Sequence, residues 1–161
     1  MSPIGQIDNP AAANSDSYSG LGGAQLETTD IDCVNGDSVA LISGTLVEVV
    51  TPYVSGVGNA FKVKRSSTTV DFLLLGVVVG APTGGVPVGG ICQVRTEGPV
   101  SMLMDNSSTT LGHPVIQSTT TLGNGHDNST TAVLGQTIGV CLQTLTISAV
   151  NTLVSVLLHK M

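Results

Sequence analysis

Short runs of apolar residues, separated by glycine and proline, dominate the pattern of this chain. The clearest stretch covers residues 70–104 and reads VDFLLLGVVVGAPTGGVPVGGICQVRTEGPVSMLM. Such runs of Val, Leu and Ile favour β-strands, and the Gly and Pro residues between them suit tight turns. Residues 72–94 contain no carboxylate, imidazole or cationic side chain. The segment therefore indicates a protein that works through shape and assembly.

Similar strand patterns recur roughly every 8 to 15 residues. We predict strands within residues 38–50, 53–65, 69–79, 90–95, 100–104, 113–117, 132–143 and 153–159. Sharp turns are expected at Asn35-Gly36 and Asn124-Gly125, because Asn and Gly tolerate positive φ. A helix of one or two turns is expected within residues 144–151. Roughly seven to nine short strands without βαβ alternation predict an all-β fold, as a single compact β-barrel or sandwich.

The N-terminal segment differs from the rest of the chain. Residues 1–32 are rich in Ala, Ser, Asn, Asp and Gly and show no sustained period of 2 or 3.6. We predict an extended N-terminal arm over residues 1–32 and a β-domain over residues 33–161. Fully extended, the arm would reach on the order of 100 Å. Two interpretations stay open, a loose terminus and an arm that binds a neighbouring subunit.

Composition narrows the possible functions. Charged residues make up 10% of the chain and aromatic residues 2%, whereas about 25% charged residues is typical. The core must therefore consist of Val, Leu and Ile. The net charge is −6, and the only basic cluster is Lys62, Lys64 and Arg65. Phosphate binding needs several converging cations, so no nucleic-acid partner is expected.

The uncharged run at residues 72–94 is long enough to suggest a membrane span. It contains Pro82, Pro87 and six glycines, and a lipid-exposed helix with so many breakers would leave backbone groups unpaired. We therefore predict a hairpin-like pair of strands and no membrane association. The first residues, MSPIGQID, have neither the basic nor the apolar region of a secretory signal, so no such signal is expected.

Three cysteines, Cys33, Cys92 and Cys141, lack metal-binding spacing and cannot all pair within one chain. Cys92 and Cys141 lie in apolar strand patterns, where a free cysteine behaves as a small hydrophobic residue. Synthesis in a reducing cytoplasm fits this pattern best.

Catalytic and ligand motifs are not found in the sequence. His113, His126 and His159 are isolated, and His126-Asp127 lies in a polar loop, so we expect solvated histidines and no metal site. Asp30, Asp32 and Asp37 do not fit a calcium loop and are expected to cap or form turns. No G-x-S-x-G motif, P-loop or dinucleotide fingerprint is present. We therefore predict no enzymatic activity and no cofactor.

Short motifs of turn and apolar residues follow one another in the second half of the chain. They are Gly76-Val77, Gly98-Pro99-Val100, Gly112-His113-Pro114-Val115, Ile138-Gly139-Val140, and Asn151 with Val154, Val156 and Leu158. In this order the motifs resemble those of small phage capsid decoration (cement) proteins, and the resemblance covers roughly residues 70–161.

The resemblance implies a β-barrel or β-tulip domain, usually trimeric, on the outer surface of the virion capsid. The implied partner is the major capsid protein, several subunits of which it would bind at once. For the arm we predict that Pro3, Ile4, Ile7 and Pro10 contact the capsid or a neighbouring subunit.

The main alternative is a receptor- or glycan-binding module of a phage head or tail fibre. Loops rich in Ser and Thr, such as residues 117–131, could present hydroxyls and amides to a sugar. Sugar sites usually stack the ring on an aromatic face, however, and this chain has few aromatic residues. An enzyme of unknown type is the second alternative.

Overall fold

The computed structural model describes residues 28–50, 61–69, 73–129 and 136–159. The strands are β1 Thr29–Asn35, β2 Leu46–Val49, β3 Phe61–Arg65, β4 Leu74–Val79, β5 Ile91–Met104, β6 Pro114–Gln117, β7 Gly125–Asp127, β8 Gly139–Cys141 and β9 Thr152–Leu158. The prediction of a compact all-β domain is confirmed. The helix predicted within residues 144–151 is wrong: Leu145 forms a β-bridge with Thr109, and the segment ends in a turn at Asn151, whose φ is 64°.

Five strands close a barrel in the order β1-β3-β2-β4-β5. The ring closes because β1 pairs in parallel with β3 on one side and antiparallel with β5 on the other. Its interior holds small apolar side chains, as expected from a sequence with few aromatic residues. They are Cys33, Leu41, Val47, Val63, Val78, Val86, Cys92 and Val94.

The remaining strands form a second group that shares β5. The order is β5-β9-β8-β6-β7, and a single parallel bridge between Met104 and Gly125 joins β7 back to β5. This group encloses a second core, which also receives Leu46 and Val77 from the barrel wall. The two cores therefore lie on either side of β2 and β4.

Strand β5 runs unbroken for 14 residues, from Ile91 to Met104. The separate strands predicted at residues 90–95 and 100–104 are therefore one strand. Gly98 has a φ of 98° and precedes Pro99, yet both pair with β9, opposite Leu158 and Leu157. At this point β5 exchanges its partners β1 and β4 for β9. Gly and Pro within a strand mark such a change of direction.

The sequence pattern missed two strands in full or in part. Strand β1 begins at Thr29, within the segment 1–32 predicted as the arm. Strand β7 lies where a turn at Asn124-Gly125 and a polar loop were expected. The positive φ belongs to Gly123 instead, at 75°. Gly125 is needed because a Cβ there would collide with the sulfur of Met102 in the core. The buried Asn124 amide donates to the carbonyl of Met104 over 2.9 Å.

The three cysteines are free and buried. Cys33 and Cys92 lie opposite each other on β1 and β5, inside the barrel, and Cys141 lies in the second core. Burial raises the pKa of the Cys33 and Cys141 thiols to about 12. The prediction that Cys92 and Cys141 pack as small hydrophobic residues is confirmed.

Strands β4 and β5 approach so closely at Gly76 that a Cβ there would overlap the carbonyl oxygen of Arg95. We predict that Gly76→Ala lowers the free energy of unfolding by about 1–3 kcal/mol, because the backbone of β5 must move. Urea unfolding followed by circular dichroism measures this. Gln93→Ala, at an exposed position of the same strand pair, should change stability by less than about 0.5 kcal/mol. Equal stability of Gly76→Ala and the wild type would contradict the strand spacing.

Candidate functional site

The predicted contact residues Pro3, Ile4, Ile7 and Pro10 lie outside the described residues. What the structure describes is the point where the N-terminal segment joins the barrel. Thr29 and Asp30 open strand β1 and pair with Glu97 and Arg95 of β5, with a register shift between them. The first residues of β1 are therefore held to β5.

An ion pair fixes this junction. The Nε and Nη2 atoms of Arg95 donate to the two carboxylate oxygens of Asp30 over 2.7 and 2.9 Å. The third nitrogen, Nη1, donates to the carbonyl of Pro99 over 2.8 Å. Hydrogen bonding to Arg95 lowers the pKa of Asp30, and the same bonds raise the pKa of Arg95. A bidentate pair of this kind fixes orientation as well as distance.

Two histidine–aspartate pairs form in the second strand group. His113 Nδ1 lies 2.8 Å from Asp127, and His126 Nδ1 lies 2.8 Å from Asp105. The expectation of isolated histidines is therefore wrong for these two, although both side chains are partly exposed, as expected for solvated residues. Adjacent strands bring the partners together: β6 and β7 pair, and β7 bridges to the end of β5.

Asp105 is the more highly connected of the two carboxylates. It is buried and accepts hydrogen bonds from the backbone N–H and hydroxyl of Ser107 over 2.9 and 2.5 Å, and from the Ser118 hydroxyl over 2.8 Å. Burial alone would raise the pKa of Asp105, but the hydrogen bonds from Ser107, Ser118 and His126 outweigh it and lower the pKa. The group ties the end of β5 to the β6–β7 hairpin.

Neither pair has the arrangement of a catalytic triad. In a triad the nucleophile contacts the histidine ring, and the carboxylate lies on the far side of that ring. Here Cys141 Sγ points to the Asp127 carboxylate, 3.8 Å away, and Ser118 donates to Asp105. The Cys141 thiol also stays protonated at neutral pH, since burial raises its pKa to about 12. These groups stabilise the fold rather than activate a nucleophile.

Within residues 28–50, 61–69, 73–129 and 136–159, no three His, Cys, Asp or Glu side chains come together as a metal site. The same ranges contain no helix long and apolar enough to cross a membrane. The sequence carries only a weak signal for the histidine–aspartate pairs. Ser107 follows Asp105 at the spacing of an Asx turn, but His126, which pairs with Asp105, is 21 positions away in the sequence.

One end of the barrel presents exposed apolar side chains. They belong to the 36–44 loop, the β4–β5 connection and the first residue of β5, and they are Val39, Ile42, Val88 and Ile91. A bridge between Leu41 and Val86, together with the Asn35 amide, which donates to the carbonyls of Val39 and Val86 over 2.9 Å, holds the two loops together. Such exposed groups are candidates for contact with another protein.

Comparison with known proteins adds information on the fold. No protein-family model and no curated protein sequence matches the chain. A chain in the solved structure of the capsid of Myoviridae phage XM1 is similar, with a TM-score of 0.50 and 13% identity, over 81% of this chain and 82% of that one. The head fiber gp8.5 N base of bacteriophage phi29 gives a TM-score of 0.48 and 11% identity, over 83% of this chain and 95% of that one. The likeness to the XM1 chain shows a shared fold.

We predict that Asp105→Asn destabilises the protein by about 1–3 kcal/mol at pH 7, since its NH2 group must replace either the oxygen that accepts from Ser107 or the oxygen that accepts from Ser118. The lowered pKa of Asp105 means that its contribution is complete above its ordinary value of 3.8 and is lost as the pH falls through the lowered value. The difference from wild type should therefore shrink below about pH 4.

Urea unfolding at pH 7, 4 and 3 tests this expectation. Asp32→Asn, which removes an exposed carboxylate on β1, is the matched control and should show less than about 0.5 kcal/mol of change at pH 7. A constant difference between wild type and Asp105→Asn at all three pH values would contradict the role given to Asp105.

Proposed function

We propose that this protein is a phage capsid decoration protein, which binds the outer surface of the assembled head and stabilises it by bridging major capsid protein subunits. The observation that carries the proposal is the fold shared with a chain from the XM1 capsid structure, over most of both chains. The motif order of residues 70–161, which resembles decoration proteins, supports it independently.

The arrangement of the strands suits a protein that must resist deformation. The two strand groups share β5, and each encloses its own apolar core. The buried carboxylates Asp105 and Asp127 accept hydrogen bonds from Ser118 and Thr110, which lie in the segments that flank β6. A body built in this way holds its contact surfaces in fixed relative positions, which a bridge between capsid subunits requires.

The mechanism is one of avidity. In the proposed homotrimer, three weak contacts on one rigid body add through effective concentration, and avidity exceeds any single contact by roughly 10²- to 10⁴-fold. Because each trimer would hold neighbouring capsid subunits at once, those subunits must break several contacts together before they separate. Internal DNA pressure is then resisted without any chemical step.

The N-terminal segment is the proposed second attachment. Pro3, Ile4, Ile7 and Pro10 would add extended backbone and apolar contacts to the capsid or to a neighbouring subunit. Support comes from the junction, where the Asp30–Arg95 ion pair fixes the first residues of β1 to the middle of β5. A segment attached at that point can carry load into the body of the domain.

Electron microscopy of heads prepared with and without the protein tests the proposal. We expect additional density on the outer surface, at three-fold or quasi-three-fold positions, and a higher temperature of head disruption when the protein is present. Density confined to a tail, or binding to a glycan array without affinity for heads, would favour the fibre-module alternative instead.

The role of the arm has its own test. We predict that deletion of residues 2–25 reduces co-sedimentation with empty heads by at least about tenfold, because the extended contacts are lost while β1 and its ion pair remain. The fourfold variant Pro3→Ala, Ile4→Ala, Ile7→Ala and Pro10→Ala keeps the full chain length. It separates the effect of these four side chains on head binding from the effect of shortening the chain. Unchanged head binding and oligomer stability after the deletion would refute the arm contact.

A further inference from the structure

The surface of the second strand group carries almost no charge. Between residues 98 and 159 the sequence has two residues of the Asp, Glu, Lys or Arg type, Asp105 and Asp127. Both are buried, with 2% and 6% of their surface exposed. Among the described residues, the exposed and half-exposed carboxylates and cations therefore all lie within residues 28–97, on the barrel side. A charge-free exterior over this length is unusual, because charged groups normally make up about a quarter to a third of a soluble surface.

The register of four adjacent strands shows which uncharged residues form the surface of the second strand group. On β5, β9, β8 and β6, alternate residues point into the second core, and the residues between them face outward. The ladder places Pro99 opposite Leu157, Leu157 opposite Val140, and Val140 opposite Pro114. These four half-exposed residues form a continuous apolar row across the outer face of the sheet.

The other outward-facing residues of these strands are also uncharged. Next to the apolar row, Ser101 and Ser155 pair, and Leu142 donates its N–H to the carbonyl of Ser155. At the next outward-facing pair, Leu103 is buried beside Gly44, whereas Leu153 is 52% exposed. Small hydroxyls and aliphatic groups on a sheet favour close contact with another uncharged surface.

We infer that this outer face of β5, β9, β8 and β6 is the surface through which copies of the chain bind one another. The inference deepens the proposed function and rests on its oligomeric part, for which it names the strands. It identifies the occupant of the face as a second copy of this chain.

Charge is the argument for a second copy. Each chain has a net charge of −6 at pH 7, so two copies repel each other unless their charged surfaces stay apart. Contact through the charge-free face keeps the carboxylates of both copies out of the contact, apart from Asp30, which is neutralised by Arg95 at the edge of the face beside Pro99. Contact through the barrel side would instead bring Asp32, Lys62 and Glu97 into the interface and would require their desolvation.

Two positions on the same strand give a matched test. Ser101 and Gln93 both lie on β5 and both face outward and are exposed, but Ser101 lies on the charge-free face and Gln93 on the barrel. We predict that Ser101→Glu raises the dissociation constant of self-association by at least about tenfold, because an unpaired carboxylate would lose its water in an uncharged contact. Gln93→Glu should leave it unchanged.

Analytical ultracentrifugation at pH 7.5 gives the readout. We expect wild type and Gln93→Glu to sediment at a multiple of the 16.2 kDa chain mass, three-fold for the proposed trimer, and Ser101→Glu to dissociate. Leu153→Asn is a second variant at an exposed position and should dissociate in the same way. Circular dichroism and the melting temperature establish that each variant is folded.

The inference is overturned if the wild type sediments as a single chain at tens of micromolar, or if Ser101→Glu and Leu153→Asn both keep the wild-type mass. Co-sedimentation with empty heads, measured in parallel, separates this failure from failure of the proposed function, which would appear as no head binding by wild type. If Ser101→Glu keeps its mass but no longer binds heads, the face belongs to the capsid contact, and self-association through it is refuted.

Discussion

The backbone hydrogen bonding of strand β5 is the constraint on which the rest of the structure depends. Its first half completes the barrel between β1 and β4, and its second half pairs with β9 and bridges to β7. Neither strand group closes without it. Because the strand is continuous, the two cores cannot change their relative position without breaking hydrogen bonds on both sides of Gly98. The rigidity that the proposed bridging role requires follows from this single shared element.

Buried polar groups add specificity to that framework. A core built from Val, Leu and Met is non-directional and tolerates small shifts of packing. The hydrogen bonds of Asp105 with Ser107, Ser118 and His126 are directional, and they set the position of the β6–β7 hairpin against the end of β5. Buried carboxylates of this kind are costly when left unpaired, so the hairpin has one favourable position. The histidines contribute to this arrangement through geometry rather than through catalysis.

The sequence pattern predicted the fold class well, because alternation and turn residues are local properties. Strands β2, β3, β4, β6 and β8 fall within predicted segments, and β9 begins one residue before its predicted segment. It failed where pairing across the chain decides the structure. Gly98-Pro99 reads locally as a break, yet it lies within β5 because β9 pairs with it. Strand β7 reads as a polar loop, since its His126 and Asp127 are strand residues only in the presence of partners far away in sequence. The charge-free face could likewise not be recognised until the register of four strands was known.

The position of the Asp30–Arg95 ion pair has a mechanical consequence. Force applied to the chain before Thr29 does not enter the domain at a loop tip, where a few hydrogen bonds would yield. It enters along β1, which is bonded to β5 from Thr29 to Val34, and it reaches the strand common to both cores. Such a pull is opposed first by the bidentate contact of Asp30 with Arg95 and by the backbone hydrogen bonds of β1 with β5.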